Sequence, residues 1–446
     1  MHLKRLFAVL MLLYVAQFHG QNDFFIKKGA NKSEKIRFKL INNLIIVPLK
    51  INGVELSFLL DTGVSKPLIF NFEGVQDVLK LNHTKRIYLR GLGSGDAIEA
   101  VKSESNRLEL GDIKSNSLDL YVIYDETLNF TPRLGVPIHG VIGYDLFKNF
   151  IVEVNYSSKY VRVYDPNRYR YKNCKKCETL PVTIHNSKPY VQSAVELNSE
   201  IIPVKLLVDT GGSDALWLFE DDSLGIHLYH KKYFEDFLGH GLSGSVYGKR
   251  SRIEKFILKN FELKNPNVAI PDSVSVIATR LVNDRNGSMS GEILKRFNIV
   301  FDYPHQQMTF KKNKYFDKAF SYNKSGLELE HNGIRLLQEE VFEASPGTMN
   351  ENSQTSSGIK ISFDKKLKFS VKPAFAIVEL RNDSPAQRAG LKIGDIIIKI
   401  NGRETHKMEL QDVMAIFYGD DGETVRMDVD RKGQLMHFSF VLESML

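Results

Sequence analysis

Much of the chain is written in short runs that alternate apolar and polar residues, the period of a half-buried strand rather than of a helix. Val47-Pro48-Leu49-Lys50-Ile51 and Val54-Glu55-Leu56-Ser57-Phe58 flank Asn52-Gly53, which predicts a hairpin closed by a two-residue turn. The second arm becomes the continuous apolar run Phe58-Leu59-Leu60, then Asp61-Thr62-Gly63, then a second apolar run, Pro67-Leu68-Ile69-Phe70. An Asp held between two buried strands, with a glycine behind it that can take angles side chains forbid, sits on a loop with little freedom to move.

The same order returns later. Leu206-Leu207-Val208 leads into Asp209-Thr210-Gly211, and Ala215-Leu216-Trp217-Leu218-Phe219 follows. After each Asp comes a glycine-rich stretch, Arg90-Gly91-Leu92-Gly93-Ser94-Gly95 and His240-Gly241-Leu242-Ser243-Gly244, each predicted to be the tip of a hairpin. The first is not read as a phosphate cradle, because no Lys-Ser/Thr follows it and no helical pattern opens behind it. Val141-Ile142-Gly143 and Met289-Ser290-Gly291 then correspond, with 82 residues from Asp61 to Gly143 and 82 from Asp209 to Gly291. Leu146–Phe150 and Ile293–Phe297 continue the match, so two β-rich lobes of one plan are expected.

At 446 residues, 43% of them apolar, the chain can hold two or three domains with substantial cores. The formal charge of +7 is spread among interspersed lysines and acids, which describes a solvated surface rather than a nucleic-acid stripe. No nucleic-acid motif accompanies it. Met1-His2-Leu3-Lys4-Arg5 and the apolar run Leu6 to Val15 have the two regions of a secretory signal peptide, with cleavage expected near Gly20. An uncleaved anchor is the competing reading; no later stretch has the length of a membrane helix.

Cys174 and Cys177 are the two cysteines of the chain. An exported C-x-x-C can close a small disulfide, act in redox chemistry or form half of a zinc site. With no second pair and no thioredoxin-like βαβ context, a local structural disulfide is expected. His227 and His230 lack a third ligand in the pattern, so no metal is expected, and no cofactor either. Trp217 reads as core or pocket wall.

Two carboxylates brought close together cannot both ionise, so they share one proton and their acidities are driven apart. The ionised member can take a proton from a water while the protonated member donates to a carbonyl, which is what direct hydrolysis of an amide needs. Glycoside hydrolysis also uses paired carboxylates, but needs them wider apart and gives no reason for a repeat.

At these residues the chain resembles the aspartic peptidases, pepsin-like and retropepsin-like, over roughly residues 36 to 315. The resemblance implies that Asp61 and Asp209 form the catalytic dyad, with Thr62 and Thr210 cross-bracing the loops, Gly63 and Gly211 allowing the turns, and Ser65 and Ser213 in support. Val141-Ile142-Gly143 looks like the element that holds the first Asp loop, and Met289-Ser290-Gly291 is its imperfect copy. After the Gly stand Val64 and Gly212, where pepsin-like members usually carry a hydroxyl, so the site looks closer to the retropepsin type and activity toward mildly acidic or neutral pH is expected. No tyrosine stands at the usual flap place, which Arg90 occupies. Two flaps are expected instead, built around Gly91, Leu92 and Gly93 and around Gly241 and Leu242.

After Lys314 the lobe pattern stops, and Ser345 to Gly358 is polar and reads as a loop or linker. In Glu379 to Gly402 a strand, a short helix begun at Ser384-Pro385 and ended at Gly390, and a second strand turning at Asn401-Gly402 can be read directly. The stretch is similar to bacterial-type PDZ domains, which implies capture of a peptide by strand addition. The carboxylate-binding loop of that family is not evident and no groove residue is assigned.

The expected architecture is therefore mainly β. It comprises a signal peptide (1–20), two acid-protease-like β-barrel lobes related by a pseudo-twofold axis (21–170 and 185–318) with a linker (171–184), and a small α+β PDZ domain (319–446) carrying a linker or insertion around 331–367. The expected function is an exported, monomeric aspartic endopeptidase acting on polypeptides, its PDZ module binding or presenting substrate. A catalytically inactive peptide-binding protein of the same fold is the competing reading.

Overall fold

The structure is a computed structural model and describes residues 24–27, 33–72, 74–90, 96–125, 128–280, 284–346 and 361–446. The expected signal peptide, the first glycine-rich tip at Gly91, Leu92 and Gly93, and most of the Ser345 to Gly358 segment lie outside these residues. The chain divides into two compact units. One takes the chain up to Phe130, Val136–Tyr322 and Met445–Leu446; the other takes Thr131–Gly135 and Asn323–Ser444.

In the first unit the alternating runs form strands. Leu44–Ile51 and Val54–Leu60 pair antiparallel around Asn52 and Gly53, both at positive φ, as a two-residue hairpin turn requires. Val54–Leu60 also pairs in parallel with Gly140–Ile142, which in turn pairs antiparallel with Leu68–Ile69. The second half repeats these pairings. Lys188–Leu197 and Glu200–Val208 form the hairpin, Gly287–Met289 lies parallel to the latter, and Leu216–Leu218 lies antiparallel to Gly287–Met289.

This pairing corrects the alignment of the halves by one residue. The Asp61 amide donates to the Ile142 carbonyl at 2.8 Å and the Asp209 amide to the Met289 carbonyl at 2.9 Å, so Ile142 corresponds to Met289 and Gly143 to Ser290, not Gly291. The equal spacing of 82 is a coincidence of one glycine following another small residue. A Cβ at Gly143 would lie 2.0 Å from the Asp61 carbonyl and 2.7 Å from the Val64 carbonyl, and in the second half a Cβ at Gly212 would lie 2.8 Å from Ser290 Oγ.

A six-stranded sheet takes strands from both halves. Its order is Cys177–Pro181, Gln307–Lys312, Phe297–Asp302, Ile151–Asn155, Tyr160–Tyr164, Ser33–Arg37, with Ile151–Asn155 and Phe297–Asp302 antiparallel at the centre. Phe147, Phe301 and Tyr303 stack beneath it in one continuous apolar core that also contains Ile45, Phe58, Leu206 and Leu216. Cys174 and Cys177 are joined by a disulfide at the entry to the first of these strands.

The second unit has its own core of Leu327, Phe375, Ile397, Val413, Phe417 and Val429. Ser384 caps the helix Pro385–Arg388 by accepting from the Gln387 amide at 3.3 Å, Gly390 has φ +96°, and Ile396–Ile400 turns at Asn401 and Gly402, both at positive φ. Of the residues expected as a linker or insertion, those the structure describes continue two paired strands, Leu327–Pro346 and Ile361–Leu380, as a long ribbon. Among the described residues no helix is long and apolar enough to cross a membrane.

Candidate active site

Asp61 and Asp209 stand at the ends of their apolar strands, on two turns that interlock. The Thr62 hydroxyl donates to the Val208 carbonyl at 2.6 Å and the Thr210 hydroxyl to the Leu60 carbonyl at 2.6 Å. In return the Thr62 amide donates to Thr210 Oγ1 and the Thr210 amide to Thr62 Oγ1, each at 3.0 Å. Both threonines are buried, so every one of these groups would be costly to leave unpaired. Each loop is therefore fastened to the strand that delivers the other Asp.

The glycines admit the carboxylates. Gly63 N–H donates to Asp61 Oδ1 at 2.7 Å and Gly211 N–H to Asp209 Oδ1 at 2.9 Å. A Cβ on Gly211 would come within 2.3 Å of Asp61 Oδ2, and one on Gly63 within 3.4 Å of Asp209 Oδ1. The two carboxylates are close neighbours, both lying against Gly63, and the charge of Asp209 raises the pKa of Asp61. Ser65 and Ser213 are exposed, and neither side chain makes a hydrogen bond among the described residues; Ser213 takes part through its carbonyl, which accepts from Asn43 Nδ2 at 2.7 Å.

Burial raises the pKa of both carboxyls. Asp61 is pushed up to about 7, first by desolvation and then by the charge of Asp209, against the pull of the Gly63 amide and Lys188. Asp209 is raised by desolvation but opposed by Arg285, by the Gly211 and Gly212 amides and by Lys188. Lys188 acts on both carboxyls, and Arg285 on Asp209. Lys188 and Arg285 were not anticipated from the sequence. Lys188 follows the turn at Asn186 and Ser187, and continuing the register of Tyr190 with Leu207 by two residues brings it abreast of Asp209.

The second glycine-rich tip is the end of a hairpin. Phe234–Gly241 and Gly244–Arg252 pair around Leu242 and Ser243, with a bulge between Phe237 and Gly239. Trp217, on the strand after Asp209, packs against Leu238, Val246 and Ala269, and its indole donates to Asp214 at 2.7 Å. Trp217 is thus the wall between the second Asp loop and this hairpin. A pocket of about 520 Å³ beside the hairpin is lined by Glu220, Tyr247, Lys249, Asp272 and Val274 and does not include the carboxylate pair. Among the described residues no group of three or more His, Cys, Asp or Glu is placed to hold a metal ion.

Residues 47–146 match the family described as Aspartyl protease, and residues 377–431 match the family described as PDZ domain. The chain carries an aspartyl-protease-family domain followed by a PDZ domain. Among curated proteins it is similar to the carboxy-terminal processing protease CtpA of Bacillus subtilis (strain 168), with 37% identity over 57 residues, which make up 13% of this chain and 12% of that protein.

Proposed function

We propose that the protein is an aspartic endopeptidase in which Asp61 and Asp209 share one proton and activate a water between them. The observation that carries this reading is the pair itself: two neighbouring carboxylates on turns locked to each other by the threonine hydroxyls. Asp209, on which Arg285 acts, is the base. It takes a proton from the water, whose oxygen attacks the scissile carbonyl, while Asp61 gives its proton to the carbonyl oxygen. Collapse of the tetrahedral intermediate breaks the C–N bond and the amine leaves with a proton from the pair, yielding one acid and one amine.

The two halves are proposed as barrel lobes about a pseudo-twofold axis, a plan supported by the repeated strand pairings and reciprocal hydrogen bonds. The glycine-rich tips around Leu92 and Leu242 are proposed to close over an extended substrate. The PDZ domain is proposed to bind or present polypeptide by strand addition. Export is proposed from the basic and apolar leader, and a monomer suffices because both carboxylates lie in one chain.

The test is digestion of an unfolded protein mixture between pH 3 and 8 by the chain and by Asp61→Asn and Asp209→Asn. Cutting by the parent and not by either variant is the expected result. Absence of cutting by the parent at every pH overturns the proposal in favour of a peptide-binding protein.

A further inference from the structure

The surroundings of the two carboxylates differ at three matched positions. The residue abreast of Asp61 is Leu44 and that abreast of Asp209 is Lys188; Ile46 corresponds to Tyr190 by its pairing with Leu59, as Tyr190 pairs with Leu207. Ile138, two residues before Gly140, corresponds to Arg285, two before Gly287. Leu44, Ile46 and Ile138 are buried apolar residues that need nothing from a ligand. Two cations and a phenol replace them on the Asp209 side.

These groups are held but not satisfied. Arg285 is 7% exposed; its Nε donates to the Gly287 carbonyl at 2.9 Å and its guanidinium lies 5.2 Å over the Phe219 ring. Its two terminal nitrogens have no hydrogen-bond partner among the described residues. The hydroxyl of Tyr190, a residue 2% exposed, has none either. Lys188 is partly buried and makes no hydrogen bond or ion pair among the described residues. Buried cations require counter-charge, and buried polar groups require partners. In its working state the carboxylate pair carries one negative charge against these two positive ones, which leaves room for one further anion.

We propose that Lys188, Arg285 and Tyr190 form a carboxylate subsite on the Asp209 side of the dyad, which takes an acidic group of the polypeptide next to the scissile bond. The inference rests on the peptidase reading for its substrate class. The carboxylate can be an Asp or Glu side chain or the free C-terminus of a short product-side segment; both meet the same cations and phenol. A charge-assisted pairing at a desolvated site is worth about tenfold or more in affinity.

The experiment measures binding and cleavage separately. Peptides with a reduced, uncleavable bond carry Glu or Gln at either side of it, or end shortly after it as free acid or amide, and their affinity is read by fluorescence anisotropy. The expected result is about tenfold tighter binding of one acid over its neutral match, a preference reduced at least threefold in Lys188→Gln and Arg285→Gln and restored in Lys188→Arg. Which acid is preferred tells side chain from terminus. Equal binding of acids and neutral matches overturns the subsite, whether or not the parent cleaves the corresponding normal peptides. An acid preference that persists unchanged in Lys188→Gln, the less buried and better tolerated variant, also overturns it. An acid preference without cleavage of any normal peptide retains the subsite and removes the peptidase reading.

Discussion

Threonine at 62 and 210 joins the halves through hydroxyl and amide together. Thr62→Val keeps the shape but leaves the Val208 carbonyl and the Thr210 amide unpaired in a buried place. A loss of about 2 to 4 kcal/mol is expected in denaturant unfolding, with Thr62→Ser retaining most of it. Gly211→Ala puts a methyl group on Asp61 Oδ2, so activity should fall at least a hundredfold with little change in circular dichroism. The charges give a pH prediction. The pair needs its one proton, and Asp61 loses it as pH rises through about 7, so the rate should fall about tenfold per unit above that point. Arg285 opposes the rise in the pKa of Asp209, so Arg285→Gln should move the acid limb of the rate profile to higher pH. For stability the sign is the opposite of an ion-paired carboxylate: the Asp61 value is raised in the fold, so the stability it contributes is present below its unfolded value of 3.8 and is lost as pH rises through the folded one. Asp61→Asn should therefore be more stable to unfolding than the parent at pH 8, by an amount on the order of a few kcal/mol, and no more stable at pH 3.5.

At the scale of elements, the turns and Asp loops were legible because local chemistry dictates them. Asn52-Gly53 and Asn401-Gly402 demand positive φ and have it, and the apolar runs ending in Asp-Thr-Gly are the strands that hold the carboxylates. The cations were hidden by unequal lengths. The first hairpin has arms of 8 and 7 residues and the second arms of 10 and 9, so counting back from each Asp does not bring Lys188 onto Leu44. The correspondence of Gly143 with Ser290 was hidden for a related reason: it is set by strand pairing, and spacing along the chain does not report that register. The hairpin Phe234–Arg252 is tied to the second Asp loop through Trp217, so Trp217→Ala should loosen it and increase protease nicking at Leu242 and Ser243.

At the scale of the molecule, the six-stranded sheet draws its two central strands from different halves. Expressed alone, the segment ending at Asp165 would expose the edge of Ile151–Asn155 and the apolar surface beneath it. It is expected to aggregate or self-associate in analytical ultracentrifugation, and to become soluble and monomeric in its partner's presence when both segments are produced together. The second unit, with its separate core, should give its own unfolding transition.

The reciprocal threonine brace has a consequence for the cell that makes this chain. A nascent chain holding only its first half has one solvated Asp of ordinary acidity and no partner to share a proton with. On the proposed peptidase reading, the chemistry switches on only when Asp209 and Thr210 have been seated against Asp61 and Thr62. On that reading, catalytic competence is in this way a certificate of completed folding.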